Sequence, residues 1–538
     1  MTPRTSLTDP LKIDAMPCGN GVIGMTLCPG KHASSAFGTA WARDLALDLN
    51  AVVDWGATSL VSLIERHELS AFGVSNLGEA AEEAGLEWHR LPIKDAHIPD
   101  ERFERRWPYS GHVLRRRLQS GERILLHCRG GLGRTGTIAA RLAIELGETP
   151  ATALRRVRAA RKGAVETHEQ EAYVLQTPFP VPDAGYADRV LGCLLGGAVG
   201  DAFGYGVEFT KLPQIRERFG PQGIQQPVLN EHGEAEVSDD TQMTLFTLEG
   251  LLAGISPDAP IDQVDVVEAV RRATLSWYGT QTGRTQPQLS ENALSKYKVL
   301  RKNQAPGGTC LHACQQGARG TPEQPINHSK GCGGVMRVAP IGLFPETGNE
   351  QAFELAARCA AQTHGHPSGY LSAGVLASMV RDLFDGVAPE RSARRALDIA
   401  RHWQGAGETV AAVEHALALT SRSNADHAGA VAQLGEGWIG EEALAVALYA
   451  ALVASDFSDA MQIASNHDGD SDSTASIAGQ MYGAWKGLEE IPNAWIRRLD
   501  ALDPLLEVTG RLIGAHGHSS CSTMVQYCPS AALTSPPA

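Results

Sequence analysis

Acidic side chains are concentrated in residues 466–474, where Asp468, Asp470 and Asp472 alternate with small residues before an apolar helical pattern begins. Glycine and serine between the aspartates let the backbone bend, so that several carboxylates can point to one place. Unpaired carboxylates repel one another there, and a hard cation with oxygen ligands removes the conflict. The alternative is a solvated acidic loop that only caps the following helix, with Asp472 or Ser473 at the N-cap position.

Two further segments indicate that this acidic stretch is part of a larger site. Residues 238–241, Ser-Asp-Asp-Thr, also precede an apolar helical pattern. A glycine-rich segment, residues 196–204, leads to Glu208. Acidic residues at three predicted helix ends therefore favour one shared site, assembled from distant parts of the chain.

A second kind of chemistry is indicated by residues 127–136, His-Cys-Arg-Gly-Gly-Leu-Gly-Arg-Thr-Gly. The pattern is typical of a glycine-rich loop between a strand and a helix, whose backbone N–H groups bind an anion together with the helix N-terminus. Cys128 lies in that positive field, which favours a thiolate. Arg134 can hold phosphate oxygens through two hydrogen bonds, and Thr135 can donate to the sulfur. A glycine-rich turn with a merely buried cysteine is the alternative.

The elements around this loop alternate between helix and strand. Apolar and alternating runs predict strands at 58–64, 86–91 and 124–126, and 3.6-residue periodicity predicts helices at 41–55, 76–84, 103–118, 137–146 and 151–160. We therefore expect an α/β domain with a mostly parallel sheet in residues 1–177.

The remainder of the chain has a different character. Residues 178–185 contain three prolines within five positions and are interpreted as a semi-rigid linker. From residue 186 to 516 helical runs follow one another with almost no strand-like alternation, which predicts an all-α domain. Residues 517–538 are rich in serine, proline and small residues, and we expect a mobile tail.

Composition narrows the class of protein. The chain has 538 residues, of which 43% are hydrophobic and 20% charged, as expected for a globular protein of at least two domains. Its net charge of −14 argues against a nucleic-acid scaffold, although it leaves room for a local basic pocket. Ten cysteines without a disulfide-like spacing favour a reducing, cytoplasmic location. We expect neither a signal peptide nor a membrane-spanning segment.

Residues 21–175 resemble the cysteine-based protein tyrosine and dual-specificity phosphatases, on the motif at 127–136 and on segments 24–31 and 92–95. The resemblance implies that Cys128 is the nucleophile, Arg134 the phosphate clamp and Asp95 the general acid, with Asp100 as the alternative acid. His127 and Thr135 flank the Cys-x5-Arg part of the motif and are further catalytic candidates, and segment 167–170 suggests a minor role for Gln170. The expected phosphate-binding residues are Arg129, Gly130, Gly131, Leu132, Gly133 and Arg134.

Nearly the whole second domain resembles the ADP-ribosylglycohydrolase family, which includes the dinitrogenase reductase-activating glycohydrolase and related lens crystallins. The motifs that carry the resemblance lie at 200–204 with Glu208, at 238–241, 333–337, 363–367 and 469–473. It implies that Glu208 gates or assists a metal site, and that either Glu208 or Asp472 is the general base. It also implies two Mg²⁺ or Mn²⁺ ions, held by the oxygen donors Ser238, Asp239, Asp240, Asp470, Asp472 and Ser473.

The sequence does not decide the roles of three further residues. Cys332 stands where asparagine is common in the family, and this difference can alter substrate preference. His364 and His366 are candidates for substrate contact, but helix-capping or core histidines are the commoner alternative.

The two resemblances together predict a cytoplasmic bifunctional hydrolase. It would release ADP-ribose from a modified acceptor, with arginine-linked protein favoured, and hydrolyse a phosphorylated substrate through a cysteine. Two alternatives stay open. One is an immunity or binding protein that neutralises an ADP-ribosyltransferase toxin, which would then be its partner. The other is a hydrolase of ADP-ribosylated nucleic acid or small molecules.

Overall fold

The computed structural model describes residues 3–33, 40–176, 179, 181–256, 261–283, 293–420 and 426–517. They form two compact units, one that ends at Val181 and one that begins at Pro182. Apart from Gly517, the predicted tail lies outside the described residues, as do Pro178 and Pro180 of the predicted linker. Within the described ranges, every helix is too short or too polar to cross a bilayer.

The first unit is built on a five-stranded sheet in which the strand order is β1-β2-β7-β5-β6. β1 is antiparallel to β2, and the other pairs are parallel. The elements of this unit are β1 (Asp14–Cys18), β2 (Gly21–Leu27), β3 (His32–Ala33), β4 (Trp41–Ala42), α1 (Leu45–Asp54), β5 (Ala57–Ser62), α2 (Arg66–Ala71), α3 (Leu77–Glu83), β6 (Glu87–Arg90), α4 (Glu101–Gln119), β7 (Arg123–Cys128), α5 (Gly133–Glu145), α6 (Pro150–Ala160) and α7 (His168–Leu175).

The predicted α/β class with a mostly parallel sheet is confirmed. The three predicted strands correspond to β5, β6 and β7. β1 and β2 were missed, because Gly21 and Gly24 interrupt the apolar pattern of β2. A Cβ on Gly24 would lie 2.7 Å from Leu125 Cδ1 and 2.8 Å from Trp55 Cη2. The glycine therefore permits close packing of β2 against central β7, which carries Cys128 at its end.

The second unit is helical, which confirms the predicted all-α class. Its helices are α8 (Ala184–Tyr205), α9 (Leu212–Phe219), α10 (Asp239–Gly254), α11 (Gln263–Thr282), α12 (Gly308–Gln315), α13 (Asn349–Ala361), α14 (Pro367–Phe384), α15 (Pro389–Ala400), α16 (Gly407–Thr420), α17 (His427–Val431), α18 (Gly440–Val453), α19 (Phe457–Ser465), α20 (Ser471–Lys486), α21 (Asn493–Ile496) and α22 (Leu502–His516). Short 3₁₀ turns occur at Ala293–Lys296, Val299–Arg301, Cys332–Gly334, Ala339–Leu343 and Leu488–Glu490.

Helices α8 and α20 are packed backbone to backbone by small residues. Four glycines recur at every fourth position of α8, and therefore lie on one face of the helix. A Cβ on Gly192, Gly196, Gly200 or Gly204 would lie 2.4, 2.5, 2.1 or 2.1 Å, respectively, from the carbonyl oxygen of Gly483, Gly479, Ala475 or Ser471. The two rows run in opposite directions, so the helices are antiparallel. The C-terminal end of α8, close to Glu208, therefore meets the N-terminal end of α20, which carries Asp472.

Candidate active sites

The loop between β7 and α5 surrounds the sulfur of Cys128, which is buried at the end of β7. The backbone N–H of Gly131 donates to Cys128 Sγ at 3.2 Å. Arg161 Nη2 donates to the carbonyl of Gly130 at 2.8 Å. Gly131 has a φ of +74°, and a Cβ there would lie 2.2 Å from a carbonyl oxygen of β2. Only glycine fits this position, and the loop geometry depends on it.

Arg134 is fixed before any substrate binds. It is 2% exposed, and its guanidinium donates to both carboxylate oxygens of Glu68 at 2.6 and 2.9 Å. Nη1 also donates to the carbonyl oxygen of Ile93 at 3.0 Å. Such a buried, bidentate ion pair holds the plane of the guanidinium group in one orientation. Glu68 was not a sequence-predicted site residue, since nothing in its local pattern distinguishes it from a surface glutamate.

The structure brings Asp95 to the same loop. Its carboxylate lies 2.9 Å from Arg134 Nη2 and 3.6 Å from Arg129 Nη1, and its side chain is 53% exposed. Asp100, the alternative acid, is the N-cap residue of α4 and accepts a hydrogen bond from the Phe103 N–H at 2.9 Å. Asp95 therefore lies against Arg134 and Arg129 at the solvent side of the loop, whereas Asp100 caps a helix.

His127 and Thr135 are both buried but differ in their hydrogen bonds. His127 Nε2 lies 2.6 Å from Ser62 Oγ, which in turn accepts from Trp88 Nε1 at 2.8 Å. Burial lowers the pKa of His127 to about 3, so its ring is neutral. Thr135 Oγ1 is buried and makes no hydrogen bond within the described part of the chain. In this structure the sulfur thus receives its hydrogen bond from Gly131, while Thr135 is not bonded to it.

Residues 166–170 close one side of the loop. The N–H of Gly133 donates to Glu166 Oε2 at 2.7 Å. Gln170 is fully buried and donates through Nε2 to the carbonyl of His97 at 3.1 Å. Leu132 is the N-cap residue of α5. Gln170 also accepts from the N–H of Glu166 at 3.1 Å, and Glu166 is a neighbour of the loop that the sequence motif alone did not indicate.

The second site is a cluster of carboxylates where α8, α10 and α20 meet. Glu208, Asp470 and Asp472 each present one oxygen within 4.8 Å of the others. Asp470 is the N-cap residue of α20, so the helix begins earlier than predicted and Asp472 lies in its first turn. Asp239 and Asp240 occupy the first turn of α10. All four aspartates are at most 4% exposed.

Burial and mutual repulsion shift the titration of this cluster. Burial raises the pKa of Glu208 to about 9, and Asp472 is the next cause. Burial also raises the pKa of Asp239, Asp240 and Asp472 well above the usual range, and neighbouring carboxylates raise it further. The charge of Asp472 contributes to the raised pKa of both Asp239 and Asp240, so the two acidic segments lie within electrostatic range of each other.

The donors fit a hard divalent cation. Glu208 Oε2 and Asp240 Oδ2 are buried and have no hydrogen-bond partner among the described residues. Ser238 Oγ accepts from the N–H of Asp240 at 3.1 Å, and Ser473 Oγ lies 3.9 Å from Met336 Sδ. Carboxylate and hydroxyl oxygens are the ligands that Mg²⁺ and Mn²⁺ prefer. A cation would neutralise charge that is otherwise costly to bury.

Asp201 supports this cluster from α8. It is fully buried and accepts hydrogen bonds from the N–H groups of Ser238 and Thr241 at 2.9 and 3.0 Å, and from Thr241 Oγ1. Burial raises the pKa of Asp201 to about 6, and these hydrogen bonds oppose the shift. Asp201 thus ties the first turn of α10 to α8. The signal was a lone charge in the apolar, glycine-rich stretch 190–204, where the sequence motif gave Asp201 no role of its own.

Cys332, His364 and His366, whose roles the sequence left open, have different environments in the structure. Cys332 Sγ donates to Asp470 Oδ2 at 2.8 Å, which places this residue at the cluster. His366 is the N-cap residue of α14 and accepts from the N–H of Ser368 at 3.2 Å. His364 is 1% exposed, and its Nδ1 lies 2.8 Å from Thr363 Oγ1. The two histidines thus have helix-capping and core environments.

Two surface contacts hold the loop that carries Glu208. Phe209 stacks on Trp438, with ring centroids 5.4 Å apart and an interplanar angle of 22°. Lys211 Nζ lies 3.0 Å from Glu436 Oε1 and 3.5 Å from Asp468 Oδ2. Phe209 is 71% exposed and has a φ of +62°. An aromatic pair and an ion-pair network therefore border the carboxylate cluster, and neither was predicted from the sequence.

Comparisons with known proteins match both units. A family model described as ADP-ribosylglycohydrolase matches residues 182–520. One described as Swiss Army Knife protein, DSP-PTPase phosphatase domain, matches residues 43–174.

Three curated proteins illustrate the likeness. ADP-ribosylarginine hydrolase Tri1 of Serratia proteamaculans is 24% identical over 62% of this chain and 81% of its own length. ADP-ribosyl-[dinitrogen reductase] glycohydrolase of Rhodospirillum rubrum is 25% identical over 58% of this chain and 90% of its own length. Cyclin-dependent kinase inhibitor 3 of Homo sapiens is 31% identical over 24% of this chain and 62% of its own length.

Proposed function

This chain belongs to the ADP-ribosylglycohydrolase family and carries a phosphatase domain of the dual-specificity type, and we propose that one chain both releases ADP-ribose from a modified acceptor and hydrolyses phosphomonoesters. Both domain types are hydrolases, so the chain is a hydrolase. The alternative of an immunity or binding protein is not favoured.

The observation that carries the glycohydrolase proposal is the buried cluster of Glu208, Asp470 and Asp472, with Asp239 and Asp240 within electrostatic range. The proposed ligands of two Mg²⁺ or Mn²⁺ ions are Ser238, Asp239, Asp240, Asp470, Asp472 and Ser473. When bound, such ions hold ribose hydroxyls and stabilise charge at the reacting centre. Glu208 or Asp472 would accept the proton of the water that attacks the anomeric carbon, while the bond between that carbon and the acceptor breaks and the acceptor leaves with a proton.

Arginine-linked protein is the acceptor we propose, because the Serratia relative is named an ADP-ribosylarginine hydrolase. The test is a panel of arginine-linked, serine-linked and nucleic-acid-linked ADP-ribose, assayed with Mg²⁺ or Mn²⁺ and again with EDTA. We expect release from arginine with either metal and no release with EDTA. A preference for serine or nucleic acid would contradict the acceptor, and release in EDTA would contradict the metal site.

The phosphatase proposal is carried by the arrangement of Cys128, the Gly131 N–H and Arg134. Cys128 would attack the phosphorus atom and form a phosphocysteine while the bond to the leaving oxygen breaks. Asp95 would give its proton to that oxygen, and Arg134 and the loop N–H groups would hold the phosphoryl oxygens. Water would then hydrolyse the phosphocysteine, with the Asp95 carboxylate taking its proton.

Replacement of the nucleophile tests this half of the proposal. Cys128→Ser should abolish hydrolysis of an aryl phosphate and leave ADP-ribose release unchanged. Brief reaction of the wild type followed by acid quench should trap the phosphocysteine, detected by mass spectrometry on the peptide that contains Cys128. Undiminished aryl phosphate hydrolysis by Cys128→Ser would contradict the assignment.

A further inference from the structure

Lys31 lies beside the phosphate loop but outside the motif at 127–136. It is 8% exposed, and its Nζ donates to the carbonyl oxygen of Arg129 at 3.2 Å. Throughout the described part of the chain, no carboxylate oxygen lies within 4.0 Å of this ammonium group. A buried lysine is rare without a charged partner. Its placement against the carbonyl of Arg129 therefore calls for an explanation other than an internal ion pair.

The contact with Arg129 sets the direction of a loop N–H. In a trans peptide the C=O and N–H bonds point in opposite directions. Lys31 holds the carbonyl of Arg129, so the N–H of Gly130 points away from the ammonium. The next peptide shows the consequence of such a contact. Arg161 holds the carbonyl of Gly130, and the N–H of Gly131 reaches Cys128 Sγ at 3.2 Å.

The segment that carries Lys31 is itself fixed. The N–H of Gly30 donates to Asp48 Oδ2 at 2.8 Å, and Asp48 forms a buried ion pair with Arg43 at 2.7 Å. The N–H of Arg43 donates to the carbonyl of Lys31 at 3.2 Å. The ammonium lies 5.3 Å from the ring centroid of Phe72, a cation–π distance. The lysine is therefore held in place before substrate binds.

Electrostatics place the ammonium in the field of the proposed reacting groups. Burial is the largest cause that lowers the pKa of Lys31, and Arg129 lowers it further. Cys28, Cys128 and Asp95 act in the opposite direction. A lysine that only packed against Phe72 would not need to lie within electrostatic range of Cys128 and Asp95.

We propose that Lys31 is a positioning residue of the phosphatase site, which holds the Arg129–Gly130 peptide so that its N–H can bind a phosphoryl oxygen and which adds a positive charge beside the bound dianion. The inference rests on the proposed phosphatase function. In this proposal Lys31 holds the Arg129–Gly130 peptide through the carbonyl of Arg129, as Arg161 holds the Gly130–Gly131 peptide through the carbonyl of Gly130.

Binding of inorganic phosphate to the full chain tests this role apart from turnover. In the Cys128→Ser background, Lys31→Met removes the donor and the charge but keeps an unbranched apolar side chain against Phe72. We expect the Kd for phosphate, measured by calorimetry, to rise about 10-fold, as for loss of one charge-assisted hydrogen bond. Lys31→Arg should restore most of the affinity. Lys162→Met, an exposed lysine of the same unit, is the matched control and should leave Kd unchanged.

Kinetics on the otherwise unaltered chain give a second readout. Lys31→Met should lower kcat/KM for an aryl phosphate about 10-fold, mainly through KM, while Lys31→Arg stays close to wild type. If Lys31→Met does not fold, Lys31→Gln replaces it. Equal phosphate affinity in the lysine variant and the Lys162→Met control would overturn the proposal. Failure of the Cys128→Ser parent to bind phosphate would instead overturn the phosphatase assignment, and this proposal with it.

Discussion

At the scale of single residues, Asp95 is far more exposed than Cys128 and Arg134, the two buried groups proposed for the phosphatase reaction. Its carboxylate lies between Arg134 and Arg129, with 53% of the side chain accessible. A phosphate bound to Arg134 would compete for the same guanidinium edge, so Asp95 has to turn toward the leaving group when substrate binds. An exposed side chain that faces solvent can make such a move at small cost.

Asp95→Asn should therefore slow turnover most for substrates with poor leaving groups, because those need the proton. We expect a loss of roughly 10²–10³-fold for an alkyl phosphate and a much smaller loss for p-nitrophenyl phosphate. The measurement is kcat for a series of phosphate esters that differ in leaving-group pKa. Asp100→Asn is the control, since that carboxylate caps α4. An equal loss across the series would remove Asp95 from the acid role.

The carboxylate cluster calls for a different experiment, because its members repel one another when no cation is bound. Asp472→Ala removes one buried carboxylate that raises the pKa of its neighbours Asp239 and Asp240. We expect ADP-ribose release to fall by more than about 10³-fold, as for loss of a group that acts as part of a unit. Without metal, the thermal midpoint of the variant should equal or exceed that of wild type. The rise in midpoint on adding Mn²⁺ should be smaller than in wild type.

Asp239→Ala should behave in the same way, since Asp239 is equally buried in the first turn of α10. Asp398→Ala is the control, because Asp398 is 72% exposed and pairs with Arg401 at the surface. Folded variants of Asp239 and Asp472 that keep near-normal turnover would contradict the proposed metal site.

What the sequence could predict at this scale depends on how local the pattern is. The loop at 127–136 and the acidic segments at 238–241 and 466–474 carry their residues of interest within a few adjacent positions, so the spacing within each segment was enough to suggest its chemistry. Glu68 and Asp201 act on residues 66 and 37 positions away along the chain. Neither has a local pattern that distinguishes it from an ordinary charged residue, and only the packed fold brings each to its partner.

At the scale of elements, the antiparallel pair of α8 and α20 positions the carboxylate cluster. The glycine spacing was visible in the sequence, and both helices were predicted. Their contact was not, because small residues on a helix face are compatible with many partners. The start of α20 was also predicted too late, since the helix begins at Ser471 rather than after residue 474. Polar residues in its first turn resemble a loop until the caps of the helix are known.

Gly200→Ala should destabilise the second unit by about 3 kcal/mol, near the upper end for an overpacked contact. The added methyl would lie 2.1 Å from the carbonyl oxygen of Ala475, and a backbone carbonyl cannot move aside without parting the helices. ADP-ribose release should fall, because Asp201 and Glu208 would shift relative to Asp472. Hydrolysis of an aryl phosphate by the same molecules should be unchanged.

Gly514→Ala on α22 is the matched control for this substitution. A Cβ on Gly514 meets nothing within 4 Å, so the change should stabilise the helix by about 0.5–1 kcal/mol. Differential scanning calorimetry resolves the transition of the second unit in both variants. A Gly200→Ala protein as stable as the control would contradict close contact of the two helices.

At the scale of the whole molecule, two hydrolase units occur on one chain with a short proline-containing connection. The predicted linker of eight residues, 178–185, would span about 25 Å at roughly 3.1 Å per residue if it were extended. The structure begins α8 at Ala184, which shortens the segment that is free to act as a linker. A short tether raises the effective concentration of one site near a substrate that the other site holds. Independent activities that merely share a chain are the competing explanation.

If the tether has a catalytic purpose, the intact chain should clear a doubly modified substrate faster than its separated halves. A protein that carries both phosphate and ADP-ribose is one suitable substrate, and a phosphorylated ADP-ribose is another. A protease site inserted between Thr177 and Asp183 avoids the cap of α8 and allows the folded chain to be cut. The rates of loss of both marks are then compared at equal, submicromolar concentrations of cut and uncut protein. We expect the uncut chain to be faster on the doubly modified substrate and equal on singly modified ones. Equal rates on both kinds of substrate would show that the two activities are independent.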